Sequence, residues 1–312
     1  MELLEITAEE YDEFCGEYKY FYNSGAFHKL NKEKVEQVVY FLFKGKKNKL
    51  ALVAGIVEGI MKIPYSAPFA VFETMHNYIK IEELDQALDL LDQYAYMHKI
   101  NRIFFRCPPA FYDVSFLSKL HNCMLRNGYE IAMCDLNYQF KFSKDSLYTD
   151  LLHRNAKKNL KQAMKRNLVL IHCNTEEEKK EAYCIISSNR KSKGYPLRMT
   201  YDQVIDTVRF TDNDFFILKS DNKGIASAIV FKVTTNCYQV IYWGNLEGTE
   251  HIRPMNYLAY MLYNYYLEKG IEFLDIGPST ENGLPNYGLC DFKESIGCKV
   301  DEKYTFIKNI FT

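Results

Sequence analysis

Hydrophobic positions recur along this chain with two periods, and the switches between them mark its elements. Val38–Lys44 (VVYFLFK) and Lys49–Glu58 (KLALVAGIVE) are apolar, β-branched runs around a KGKKN stretch whose Gly45–Asn48 reads as a turn, which predicts a hairpin. Ile81–His98 carries Leu84, Ala87, Leu88, Leu91, Tyr94 and Ala95 at helical spacing, so a helix with one buried face is predicted. Arg102–Cys107 reads as a strand stopped by Pro108 and Pro109. Val114–Arg126 reads as a helix with Gly128 as its stop, and Tyr129–Phe142 as a long strand. Thr7–Tyr20 predicts an opening helix, and the prolines of Met61–Phe72 predict extended chain.

The later part of the chain repeats this order. Tyr148–Asn167 predicts a basic helix, Leu168–Cys173 a strand, and Thr175–Lys193 a helix with Glu178 placed to complete a capping box on Thr175. Lys193–Pro196 is a break. Phe215–Ser220 and Gly224–Thr234 predict strands joined by a turn at Asp221–Gly224, and Cys237–Trp243 a further strand. Arg253–Gly270 predicts a tyrosine-rich helix, Glu272–Ile276 a short strand, Leu289–Ile296 a short helix and Lys303–Ile310 the last strand. Ile81–His98 matches Pro254–Lys269, and Arg102–Cys107 matches Glu272–Gly277. A repeated order at this length predicts a duplicated α+β domain with mixed sheets, residues 1–145 and 146–312, the passage lying at Phe142–Asp150. The alternative is one continuous α+β domain.

Composition narrows the function classes. The 312 residues are 47% hydrophobic and 25% charged with a net charge of −1, which argues against a general polyanion binder and makes any basic surface local. The apolar run Leu50–Val57 is too short to span a bilayer, and the acidic MELLEITAEEYDEF start lacks the layout of a signal peptide. Nine cysteines show neither a C-x-x-C pair nor the spacing of a zinc site, which predicts reduced, mostly buried thiols in a cytoplasm and no metal. G-x-G-x-x-G, Walker and H-E-x-x-H patterns are absent.

Candidate chemistry gathers in Gly270–Val300, GIEFLDIGPSTENGLPNYGLCDFKESIGCKV. A strand that runs into a polar loop and then a helix builds a binding face on a rigid scaffold. Asp275 shares a strand face with Phe273 and Gly277. It is placed either to orient or deprotonate an amine or to cap the loop that follows. Lys293, beside Phe292, either reaches a cleft or is a solvated surface lysine. Ser279, Asn282, Asn286 and Tyr287 add donors. Upstream, Arg154, Lys157, Lys158, Lys161, Lys165 and Arg166 have no acid among them, and 154, 158, 161 and 165 fall on one helical face. Such a stripe attracts phosphates of a nucleotide-linked acceptor, coenzyme A or tRNA. Its alternative is a solvated face paired with the acids of Glu176–Glu181.

The order of elements is similar to the GNAT N-acyltransferase fold, and two copies in tandem resemble the FemABX group of peptidoglycan aminoacyltransferases. Local likenesses are the basic Arg154–Lys165 helix, Ile241-Tyr-Trp-Gly244 at a strand end, Gly270-Ile-Glu-Phe-Leu-Asp-Ile-Gly277, and Asp291-Phe-Lys-Glu-Ser-Ile-Gly297, where Ile296 stands in place of the usual aromatic. The first half shares only the element order and Pro64-Tyr-Ser-Ala-Pro68. The resemblance implies acyl or aminoacyl transfer to an amine, with the first copy degenerate and on the acceptor side. It implies Lys293 and Asp275 as catalytic residues. It also implies substrate binding by Arg154, Lys158, Lys161, Tyr242, Trp243, Ser279, Asn282, Tyr287 and Phe292.

No tightly bound cofactor is implied, and the donor is acyl-CoA or aminoacyl-tRNA. GNLEGTEHIRP, after Trp243, lacks the R/Q-x-x-G-x-G/A loop that cradles the pyrophosphate of acetyl-CoA, which favours a non-CoA donor or lost activity. Against tRNA, Thr175–Lys193 is too short for the helical arm of classical members. The implied partners are a phosphorylated small-molecule or peptide acceptor and tRNA. Two other readings stand beside the enzyme: a non-catalytic module binding a phosphorylated or peptide ligand, and an RNA-binding protein that uses the basic helix.

Overall fold

A computed structural model describes residues 1–46, 49–74, 78–145 and 147–311. The chain forms two compact units. The first is Met1–Leu136 with Asn282–Leu284 and Asp301–Thr312, and the second is Asn137–Glu281 with Pro285–Val300.

In the first unit, β1 (Glu2–Ile6) precedes α1 (Ala8–Cys15), and the strand is one the sequence pattern did not predict. Thr7 caps α1: its side chain accepts from the Glu10 N–H while Glu10 reaches back to the Thr7 N–H. The helix stops at Gly16, well short of Tyr20, because the chain there takes φ 60°. After α2 (Gly25–Asn31) come β2 (Gln37–Lys44) and β3 (Lys49–Val57), antiparallel as expected, with Lys44 opposite Lys49. Lys47 and Asn48 of the predicted turn lie outside the described residues. Next follow β4 (Ile60–Ile63), β5 (Glu73–Thr74), α3 (Ile81–Met97), β6 (Arg102–Arg106) and α4 (Val114–Arg126). The face of α3 predicted from spacing is the buried one: Leu84, Ala87, Leu88, Leu91, Tyr94 and Ala95. The sheet runs β1-β2-β3-β4-β6, and β5 pairs β3.

β7 (Glu130–Lys141) carries the chain across Leu136 into the second unit. The expected basic helix forms there as two pieces, α5 (Tyr148–Leu151) and α6 (Arg154–Ala163). Leu152 is extended between them, with ψ 138°, and the His153 N–H donates to the Ser295 carbonyl at 3.0 Å instead of continuing a helix. Then come β8 (Leu168–His172), α7 (Glu176–Ser192), α8 (Tyr201–Val208), β9 (Asn213–Ser220), β10 (Lys223–Thr234), β11 (Cys237–Asn245) and α9 (Pro254–Glu268). β12 (Phe273–Pro278), β13 (Thr280–Glu281), β14 (Leu284–Pro285), α10 (Tyr287–Ser295) and β15 (Lys299–Asn309) end the chain. The Thr175–Glu178 capping box forms at α7 as read from the sequence. A second one, Thr200–Gln203, starts the unpredicted α8.

The second unit's sheet runs β7-β12-β11-β10-β9-β8. Ile185 and Ile186 of α7 pack with Phe215, Ile217, Ile229 and Phe231 from the sheet. α9 lies on β10 and β11, burying Leu258, Leu262, Tyr263 and Tyr266.

The halves read from the sequence and the compact units differ at the end of β7, at Asn282–Leu284 and at β15. β15 pairs β6 with Thr305 opposite Arg106, so the last strand completes the first unit, while residues 137–141 of β7 pair β12 in the second. Element order cannot reveal this, because a strand's pattern does not say which edge it joins. The architecture is a mixed α/β fold built as two GNAT-like domains, each with an antiparallel hairpin set, a long helix, a strand and a shorter helix in that order.

Candidate functional site

In the second unit β11 and β12 run parallel and then part. Their pairing covers only Cys237–Gln239 against Phe273–Asp275, yet β11 continues to Asn245 and β12 to Pro278. Both arms of this fork carry a bulge. Against β10 the register steps from Tyr242 to Val240, leaving Ile241 as the extra residue. Against β7 it steps from Asp275 to Gly277, leaving Ile276. A bulge bends its strand and raises the local twist, so two bulged arms turn away from each other. Gly277 takes φ 77°, a conformation that glycine adopts without strain. Beyond Gln239 the β11 arm has no parallel partner strand on its β12 side among the described residues.

Asp275 ties the base of the fork. It has no exposed surface. Its Oδ1 accepts from Asn137 Nδ2 and from the Gly277 N–H, both at 2.7 Å, and its Oδ2 from Gln239 Nε2 at 2.6 Å. One carboxylate thus joins β7, β11 and β12 at the last paired rung. The bond to Gly277 is the loop-capping role the sequence allowed. Reaching an amine would require Asp275 to give up these donors.

Lys293 projects from α10, whose first turn is capped by Asn286 accepting from the Leu289 N–H. The lysine is 2% exposed, which rules out the solvated-surface alternative. Its ammonium donates to three successive carbonyls on the β12 arm: Ile276 at 3.1 Å, Gly277 at 2.8 Å and Pro278 at 3.0 Å. The Tyr138 ring lies 5.3 Å from Nζ. Burial pulls the amine down to about 8, against the pull of the Cys298, Asp275 and Cys290 side chains, and the charge of Arg190 lowers it further.

The remaining predicted residues distribute unevenly. Phe292 and Trp243, both half-buried, face each other with ring centroids 6.1 Å apart. Tyr242 alternates to the other side and joins the α7 core. Ser279 is buried, and its Oγ has no partner among the described residues. Tyr287 is 76% exposed in the first turn of α10. Asn282 is exposed and belongs to the first unit.

Arg154, Lys158 and Lys161 lie on α6 with Lys157 and Lys165, lining a groove of about 860 Å³ with Leu152 and Gln162. Among the described residues none of these cations forms an ion pair, and Glu181 pairs instead with Lys219. The alternative, pairing with the acids of Glu176–Glu181, is not found among the described residues. Gln162 Nε2 donates to the His251 carbonyl at 3.1 Å, joining α6 to the turn that precedes α9. That turn is closed on itself: Asn245 Nδ2 donates to the Leu246 carbonyl, Thr249 Oγ1 and Glu250 Oε1. Arg253, in the left-handed region, precedes α9, and Pro254 at its first position has no N–H to offer a pyrophosphate.

Sequence reasoning missed Asn137, Gln239 and Arg190. The first two left a trace, since an amide inside an apolar strand must find a polar partner when buried. Arg190 left none.

No protein-family model matches this chain, and no curated protein does. Solved structures do. The chain is similar to FemX at TM-score 0.69 and 13% identity, covering 99% of this chain and 97% of that one. The C-terminal domain of a putative lysylphosphatidylglycerol synthetase from Agrobacterium fabrum matches at TM-score 0.61 and 11% identity, covering 97% and 93%. A tandem GNAT protein from the clavulanic acid biosynthesis pathway matches at TM-score 0.54 and 10% identity, covering 100% and 99%. At these identities the likeness establishes the fold, a tandem GNAT architecture.

Proposed function

We propose that this protein transfers an acyl or aminoacyl group to an amine, with the reaction at the fork between β11 and β12. The observation that carries the reading is the fork itself, braced by Asp275 at its base and by Lys293 along one arm. Acyl transfer needs donors preset for the oxygen that gains charge. Backbone N–H groups of the β11 arm are the candidates, since on the β12 arm the Gly277 N–H is held by Asp275 and Pro278 has none, and the buried ammonium of Lys293 adds a fixed positive field. In this arrangement Asp275 acts as a positioning residue, since its oxygens are taken by Asn137, Gln239 and Gly277. Trp243 and Phe292 flank the β11 arm and hold the acyl group or the acceptor. Phosphates of the donor or acceptor lie along Arg154, Lys158 and Lys161.

The donor is acyl-CoA or aminoacyl-tRNA. Pro254 at the first position of α9 withholds a backbone N–H that a pyrophosphate cradle would use, which fits the second better. The test is a thermal-shift series with coenzyme A, UDP-sugars and deacylated tRNA, because a ligand that binds only the folded state raises its melting temperature. Stabilisation by tRNA and loss of turnover in Lys293→Ala with the fold retained are expected. A ligand that stabilises but never yields a product, with Lys293 dispensable, leaves the binding-module reading in its place. A second reading, RNA binding without transfer, draws on the unpaired cations of α6.

A further inference from the structure

β8 is the outer strand of the second unit's sheet, and among the described residues no strand pairs with it on the side away from β9. The Cys173 N–H donates to the Phe215 carbonyl at 2.8 Å, which fixes the alternation along the strand. Val169 and Ile171 bond to β9, while Leu168, Leu170 and His172 turn their backbone groups outward. Two of the outward groups are used within the chain. The Leu168 N–H donates to the Arg166 carbonyl at 2.8 Å, and Asn174 Nδ2 donates to the His172 carbonyl at 3.2 Å. The Leu168 carbonyl, both groups of Leu170 and the His172 N–H have no partner among the described residues. An open strand edge is a template for another strand, and proteins blunt it with charge or proline. The first unit's terminal strand obeys that rule, since β1 carries Glu2 and Glu5 exposed. β8 reads LVLIH, with no acid, lysine, arginine or proline. Val169 is 54% exposed on the face where Ile171 packs into the α7 core.

The pattern of free groups is self-complementary. With a second copy of β8 laid antiparallel so that Leu170 faces Leu170, the two leucines exchange N–H and carbonyl bonds. Each His172 N–H then meets the Leu168 carbonyl of the other copy. The groups left facing each other are the Leu168 N–H and the His172 carbonyl, the two already bonded in-chain. A shift of two residues either way sets the Leu168 or the Leu170 carbonyl against an N–H that is already taken, by Glu178 in one case and Arg166 in the other. In the Leu170 register Val169 lies opposite Ile171 of the second copy, at a position without hydrogen bonds where side chains come closest. The charges agree. Lys165 and Arg166 precede β8 and Glu176 and Glu177 follow it, all exposed, and none forms an ion pair among the described residues. Antiparallel pairing brings the basic end of each copy to the acidic end of the other, whereas parallel pairing sets like against like. We infer that β8 is the interface of a homodimer, pairing antiparallel with β8 of a second copy about a two-fold axis at Leu170. The inference needs no part of the transferase reading. A strand of five residues is a short interface, so association in the micromolar to millimolar range is expected.

Sedimentation equilibrium of the full chain measures the association, and amide hydrogen exchange at low and high protein concentration locates it. The Leu170 and His172 amides are expected to slow as concentration rises, while those of Val169 and Ile171, bonded to β9 in either state, change far less. Val169→Lys places a charge at an exposed position opposite Ile171 and is expected to weaken association at least ~10-fold with the fold retained. Lys165→Glu/Arg166→Glu gives a chain with acids at both ends of β8, and Glu176→Lys/Glu177→Lys a chain with bases at both ends. Each alone is expected to stay monomeric, and an equal mixture to form a heterodimer, because the ends are exchanged between copies. Circular dichroism checks folding. If the second double variant does not fold, having lost acids from the first turn of α7, then Val169→Lys and the exchange pattern carry the test. A chain that remains monomeric at about 1 mM overturns the inference. So does a dimer that ignores Val169→Lys and leaves Leu170 unprotected. A monomer whose Leu170 and His172 amides slow only when the extended peptide Thr-Val-Thr-Val-Thr is added also overturns it, and gives the edge to a partner strand.

Discussion

Lys293 Nζ donates to the Gly277 carbonyl at 2.8 Å, joining a helix to the strand arm that turns away beside it. The same ammonium also holds the carbonyls of Ile276 and Pro278. Three consecutive carbonyls on one side chain mean that the backbone is folded around the lysine, since an ordinary strand points successive carbonyls to opposite edges. The bulge at Ile276 and the left-handed Gly277 produce this convergence. The residue that the family resemblance nominates for chemistry thus also determines the shape of the fork.

Replacing Lys293 by Met tests both roles. The side chain keeps its length, but buried carbonyls of the β12 arm lose their donor, at about 1–3 kcal/mol for an unsatisfied buried group. Relief from burying a charge offsets part of this, and Pro278 is exposed enough for water to serve its carbonyl. The expected outcome is a stability loss of about 2 kcal/mol, read from urea unfolding at constant m. Turnover is expected to fall by roughly 10²–10³, the scale for removing one electrostatic stabiliser from an acyl-transfer site. Wild-type turnover in the folded variant would remove Lys293 from the mechanism.

The depressed proton affinity of Lys293 fixes the sign of a pH effect. In the native protein the amine loses its proton near 8, while in the unfolded chain it does so near 10.5. Between these values the unfolded state binds more protons, so the contribution of this group to stability rises with pH. Relative to Lys293→Met, the protein is expected to gain on the order of 2–3 kcal/mol between pH 8 and 10.5. Turnover that needs the ammonium is expected to fall over the lower part of the same window. Parallel stability curves for the two proteins would show that the amine stays charged throughout.

Asp275→Asn places an amide N–H against a group that is itself a donor. The carboxylate accepts from Asn137, Gln239 and the Gly277 N–H, and an amide can accept on only one atom. A loss of about 2–4 kcal/mol is expected, since a buried hydrogen-bonded charge is removed and its donors are left facing each other. Because the brace stands at the last paired rung, the damage should concentrate in the fork. Hydrogen exchange at the amides of Gln239 and Gly277 should rise more than in β9. Uniform acceleration across the sheet would show that Asp275 supports the unit globally.

Much of this arrangement was legible where its cause is local. The buried face of α3 and the limits of α4 follow from spacing and a stop signal a few residues long. The duplicated order of elements was legible for the same reason, one element at a time. The fork was not, because it depends on how far two strands distant in sequence stay paired, and that is decided by bulges at Ile241 and Ile276 whose residue types are ordinary. The break between α5 and α6 was hidden as well, since Leu152 and His153 carry no helix-stopping signal and the chain leaves the helix to bond with Ser295. Likewise Tyr242 sits beside the nominated Trp243, but alternation along the strand sends it into the α7 core next to an arginine that no local pattern marks.

The cations of α6 decide between transfer and plain RNA binding. Arg154, Lys158 and Lys161 are exposed and free of ion pairs among the described residues, so replacing them by Ala is expected to change stability by no more than about 0.5 kcal/mol. Each phosphate contact removed should flatten the logarithmic salt dependence of single-stranded RNA binding by about 0.7. If tRNA is the donor, the triple variant should raise KM for the charged tRNA most at low salt, with a shallower salt dependence than the unaltered protein, and leave kcat nearly unchanged, because these side chains hold the carrier and not the reacting carbonyl. Lys293→Met should do the opposite, lowering kcat with the salt slope intact. A protein that only binds RNA would show the slope change with α6 and no response of any kind to Lys293, so the two variants measured together separate the readings where either alone would not.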